Sequence, residues 1–132
     1  MSFNVEGNIL VIEGQGPWNL DAIDQSVIET KEKIEKLYWK PWGVLVIAHG
    51  DSILIPEAVK KLIQIIESDR TKGRLATALI IRNCEIPNLV ETHLGKIYMT
   101  AGDEFAFFDE EKDARQWLQQ QLNSQMRILP VA

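Results

Sequence analysis

The residues able to do chemistry are few, and they fall at the ends of apolar runs. His49-Gly50-Asp51-Ser52 follows Gly43 to Ala48 and brings together an imidazole, a carboxylate and a hydroxyl. Arg82-Asn83-Cys84 follows Leu75 to Ile81 and adds a guanidinium and a thiol, and Gly16-Pro17-Trp18 follows Asn8 to Gly14 and adds an indole. A histidine beside an aspartate can serve as a base, with Arg82 holding an anionic substrate. A triad of His49, Asp51 and Ser52 is excluded, since side chains so close in sequence rarely point at one another. The plainer reading is that Asp51 and Ser52 cap the next turn while His49 packs in the loop. The residues alone leave both open.

Other catalytic templates fail. The chain has no G-x-S-x-G, no P-loop, no G-x-G-x-x-G and no H-x-x-x-H pair. Gly14-Gln15-Gly16-Pro17 has the outline of a dinucleotide loop, but Pro17 and Trp18 replace the small residues a pyrophosphate needs. No cofactor is expected. A single cysteine, Cys84, excludes an internal disulfide and every multi-cysteine zinc site, and no metal is expected. A helix start would lower the Cys84 pKa, but the residue reads as a half-buried small hydrophobe. His93 falls several turns away on a helix, as a surface or core-edge residue rather than a ligand.

These loops need elements to position them. Phe3 to Glu6 alternates, and Gly7-Asn8 reads as the turn of a hairpin into Asn8 to Gly14. Asn19 is placed to cap a helix whose stripe is Leu20, Ile23, Val27, Ile34 and Tyr38, ended by Pro41. Gly43 to Ala48 is apolar throughout, the mark of a strand buried on both faces. Pro56 opens a second helix, with stripe Ala58, Val59, Leu62, Ile63 and Ile66, closed by Gly73. Leu75 to Ile81 is the next buried strand. Pro87 precedes a third helix through Val90, Leu94, Ile97 and Tyr98, stopped by Gly102. Glu104 to Phe108 is a last strand, and Asp109 a partial cap for a helix burying Ala114, Trp117, Leu118 and Leu122.

The order β-β-α-β-α-β-α-β-α predicts an α/β fold: a mostly parallel sheet of about five strands, an antiparallel N-terminal edge strand and about four helices. Residues 1–122 read as one domain and 123–132 as an irregular tail able to dock on a neighbour. In such sheets ligands sit outside the carboxyl ends of the strands. Trp18, His49, Asp51, Ser52 and Arg82 are therefore the candidate ligand or partner residues. Trp39 and Trp42 flank Pro41 at the opposite end, either as a lid on the core or as an interface patch.

The 132 residues suit one domain, which buries roughly two-thirds of its unfolded surface without a staple. Nineteen acidic and 14 basic side chains give a formal charge of −5, against the basic footprint that nucleic acid requires. Apolar runs fall far short of the ~20 residues that span a bilayer. The N-terminus shows no basic stretch leading into an apolar one, so no secretory signal is read. A cytoplasmic location is expected.

Phe107 to Leu118 reads as an aromatic strand, an acidic turn and Ala114-Arg115-Gln116-Trp117-Leu118. With Leu75 to Ile81 as the strand before it, and the βα alternation over most of the chain, this resembles the SpoIIAA-like fold of STAS domains and related small bacterial proteins. The resemblance implies a regulatory or interaction module rather than an enzyme. In the anti-sigma-factor antagonists of this kind, a phosphorylatable serine opens the helix after the central strand. The matching stretch here, Ile53 to Ala58, has no hydroxyl, and Ser52 falls too early. Glu57 offers a permanent charge there, with less charge and fewer acceptor oxygens than a phosphate. The partner is then another protein or a small apolar ligand held between helices. The rivals are an enzyme using His49 and Asp51, and a homodimer joined through the tail and the tryptophan patch.

Overall fold

The structure is a computed structural model and describes residues 1–128. The elements are β1 (Ser2–Glu6), β2 (Ile9–Gln15), α1 (Leu20–Glu35), β3 (Trp42–His49), α2 (Pro56–Arg70), β4 (Arg74–Arg82), α3 (Pro87–Thr100), β5 (Glu104–Phe108) and α4 (Glu111–Ile128). They form one five-stranded sheet in the order β1-β2-β3-β4-β5, with β1 antiparallel to β2 and the other pairs parallel. The α/β class, the strand count and the antiparallel edge strand match the reading from sequence. Gly7, at φ 63°, turns the hairpin.

Each parallel strand is added on the same side of the one before. A right-handed crossover therefore lays every connecting helix on the same face. α1, α2 and α3 share that face, and α4, which connects nothing, covers the other. The alternation along β4 shows the two layers. Ala76, Ala78 and Ile80 pack with Leu45 and Ile47 against Ala114, Leu118 and Leu122 of α4. Leu79 and Ile81 face the opposite way, with Val90, Leu94 and Ile97 of α3. Both faces are covered, so the central strands read as unbroken apolar runs.

Several boundaries differ from the expected ones. α1 ends at Glu35, not at Pro41, because the chain must double back into β3. Trp39 makes that reversal at φ 74°, its N–H donating to the Lys72 carbonyl at 2.8 Å. Val27 is exposed, and Thr30 is buried in its stead. α4 opens one residue later than an Asp109 cap allows, with the Glu110 carbonyl accepting from Ala114 N–H. The irregular tail expected from Asn123 is helical as far as Ile128, since no glycine or proline interrupts it before Pro130. The expected docking by residues 129–132 lies outside the described residues. Trp117, expected in the core, is half-buried and lies against Phe108 with ring centroids 5.7 Å apart.

Trp42 is the clearest correction. It is wholly buried, so it offers nothing to an interface. Its ring lies 6.2 Å from that of Tyr38, and its indole N–H donates to the Lys72 carbonyl at 3.2 Å. Gly73, at φ 107°, lets the turn between α2 and β4 approach, since a Cβ there would run into the Lys40 carbonyl. Trp42 thus fastens the Lys72–Arg74 turn to the end of α1. Trp42→Ala should destabilise the protein by about 3–5 kcal/mol in urea unfolding, and Trp42→Phe by less. An unchanged midpoint for the alanine variant would contradict this anchoring.

Candidate functional site

The inner face of α1 carries two hydroxyls among its apolar residues. Ser26 donates to the Ile23 carbonyl at 2.6 Å and Thr30 to the Ser26 carbonyl at 2.7 Å. Satisfied by their own helix, both can face the interior, Ser26 lining a cavity and a groove and Thr30 the groove alone. The cavity, of about 90 Å3, lies between α1 and α2 above and the sheet residues Ile12, Val46 and Leu79 below. Its walls are apolar apart from Ser26, Ser52 and Tyr98. A groove of about 390 Å3 between α1 and α2 continues from it, sharing Phe3, Ile12, Ser26, Val46, Leu62 and Tyr98. An apolar cavity of ~150 Å3 holds a benzene ring. The inner part alone thus takes a short chain end, and the two together take more.

The groove reaches a buried ionic cluster at the amino ends of β4 and β5. Asp103, whose side chain is fully enclosed, accepts from Arg70 Nη1 at 2.7 Å and from the Thr77 hydroxyl at 2.5 Å. Arg74 donates to Thr77 Oγ1 at 2.9 Å and, more weakly, to Asp69 Oδ2 at 3.4 Å. Its Nε lies 3.7 Å from Asp103 Oδ2 and has no hydrogen-bond partner. Burial pushes the Asp69 carboxyl up, against the pull of Arg74. Burial also holds the Tyr98 phenol protonated, its pKa pushed up to about 12.

Sequence reasoning missed this cluster. The available signals were charges directly after glycines at strand starts, Gly73-Arg74 and Gly102-Asp103, with Thr77 inside an otherwise apolar strand.

The candidates named from sequence lie at the other end, and the structure divides them. Trp18 is buried, 9% exposed, and walls the cavity. Its ring lies against Gly14, where a Cβ would sit 2.8 Å from it. Ser52 is wholly buried and also lines the cavity, not the open loop expected of it. Asp51 is exposed and accepts from Cys84 Sγ at 3.2 Å. Lost hydration, with the neighbouring Asp51 and Glu85 charges, pushes the Cys84 thiol up, so it stays protonated. Arg82 is exposed, and its carbonyl accepts from Gly50 N–H at 2.9 Å.

His49 pairs with Glu13, which the sequence reading did not single out, at 2.7 Å, and its Nδ1 meets Asn83 Nδ2 at 3.2 Å. With the Asn83 amide as donor, Nδ1 accepts from it and Nε2 faces Glu13. Both ring nitrogens are engaged, which leaves His49 poorly placed as a base. A crevice outside strand ends also needs a reversal of strand order, and this sheet has none. Trp39, 78% exposed, stands apart from all of these.

His93 ties α3 to the segment entering α2, with Nε2 accepting from Leu54 N–H at 3.0 Å. Burial and the nearby Lys96 lower its pKa from 6.5. Among the described residues no group of three or more His, Cys, Asp and Glu side chains is arranged to hold a metal ion, and no helix is long and apolar enough to cross a membrane. Compared with family models, curated proteins and solved structures, the chain matches none.

Three outcomes follow from these contacts. Asp103→Ala strands Arg70 and Arg74 and should cost about 3–5 kcal/mol in chemical denaturation. Asp69→Asn keeps an acceptor for Arg74 on the weaker 3.4 Å contact and should cost less than Asp103→Ala in the same measurement. The neutral His93 is favoured by folding, so its bond is complete above pH 6.5 and lost as pH falls below it. His93→Ala should therefore cost about 1 kcal/mol at alkaline pH and markedly less in mild acid. An equal loss at both pH values would remove the titration from this link.

Proposed function

We propose that this protein is a non-enzymatic binding module of the SpoIIAA-like kind, working in the cytoplasm and taking a small apolar molecule into the space under α1. The observation that carries the reading is the apolar cavity walled by Trp18, Val46, Leu62 and Leu79, continuous with the groove between α1 and α2. Natural interiors are close-packed, and voids larger than water are few. Apolar clefts with a few polar groups are the usual form of ligand sites.

The order of elements and the single-sided winding support the family likeness. A phosphorylation switch has little support. α2 opens at Ile55-Pro56 with no hydroxyl side chain to cap it, and Ser52 is enclosed. The enzymatic alternative depends on His49, whose two nitrogens already have partners.

Ser26→Leu tests the reading, because Ser26 stands where cavity and groove meet. The added side chain fills space and should raise stability by about 1 kcal/mol. Native mass spectrometry of the purified protein should show a retained apolar molecule, or uptake of an added long-chain alcohol, with both absent in the variant. Equal uptake by both proteins would exclude the cavity as the site.

A further inference from the structure

The groove between α1 and α2 has a charge opposite to that of the molecule. Lys31 of α1, Lys61 of α2, Lys72 of the following turn and Arg74 of β4 line it, against the carboxylate of Asp69. Four cations to one carboxylate there contrast with 14 basic and 19 acidic side chains in the whole chain. Lys72 is held in place, its ammonium 4.8 Å above the Tyr38 ring. Lys61 has only a distant, half-exposed partner, Asp24 at 3.9 Å, and such pairs hold weakly. Arg74 is 7% exposed and keeps an unused donor at Nε. Asp69 and Asp103 are committed to Arg74, which leaves Lys31 and Lys72 the cations of the groove with no carboxylate partner among the described ion pairs. Beyond this cationic mouth lies the apolar cavity.

Resting on the reading of that cavity as a binding site, we propose that its occupant is an anionic single-chain amphiphile. The hydrocarbon tail lies under α1, and a carboxylate or phosphate head lies between Lys31, Lys61 and Lys72 with Arg74 beneath. Low-dielectric walls concentrate the field of the lysines on such a head. Arg74 is shared with Asp69 and Asp103, so the three lysines supply most of the field that the head meets. A cationic head meets the same field as repulsion.

The test is calorimetric titration of the intact protein with decanoate, decyl phosphate, decanol and decylammonium, each below its micelle concentration. The two anions should bind about tenfold or more tighter than decanol, and decylammonium weakest. The advantage should shrink at high salt. The tighter of the two anions identifies the head as carboxylate or phosphate. Replacing Lys31→Gln together with Lys72→Gln should bring the anions to the level of decanol and leave decanol unchanged. Lys112→Gln on α4 should alter nothing. Decanol binding as tightly as the anions would overturn the charged-head assignment and leave the apolar site standing. If none of the four binds, both readings fall.

Discussion

The direction in which the sheet grows governs the rest of this molecule. Every parallel strand is added beyond the last, so three consecutive crossover helices fall on one face and only α4 is left for the other. α4 meets its face with Ala114, Leu118 and Leu122 over small alanines of β4. On the opposite face α1 lies above β2 and β3 with Ser26 and Thr30 turned inward. Each hydroxyl is satisfied by its own helix and reaches no further. The open space between layers follows from that winding and those two short side chains.

The amino end of the sheet is closed differently. Arg70, Arg74, Thr77 and Asp103 join α2, β4 and the start of β5 through charge-assisted hydrogen bonds, and Trp42 fixes the adjoining turn from the other side. Burying such a cluster costs desolvation, which a well-packed apolar substitute would avoid. Its geometry gives register: Thr77 and Asp103 meet only when β5 sits in its observed place beside β4. The carboxyl end holds together through lighter contacts, the His49–Glu13 pair and the His93 link to Leu54.

The fold was largely legible in the sequence, because strands buried on both faces announce themselves as apolar runs and Pro56 and Pro87 mark helix starts. The site was legible only in part. Trp18 was singled out for the strand-end loop, and it stands buried in the cavity wall instead. The expected crevice needs a reversal of strand order, which the sequence of elements does not reveal. Beside Pro41, Trp42 reads as a core lid or as an interface patch, and only its burial against the Gly73 turn separates the two. Asp69 and Arg74 lie five residues apart across one turn, but Thr77 and Asp103 are separated by 26, and only the parallel register of β4 and β5 brings them together.

The unequal filling of the two layers has a mechanical consequence. The α4 layer meets the sheet through Ala114, Leu118 and Leu122, all fully buried. The layer under α1 contains the void and can lose volume by a small inward movement of that helix. Hydrostatic pressure acts on internal void volume, so its work on this protein is concentrated on one side of the sheet. The compressible half of the molecule is the half that contains Trp18, whose indole lies in the cavity wall where that movement would occur.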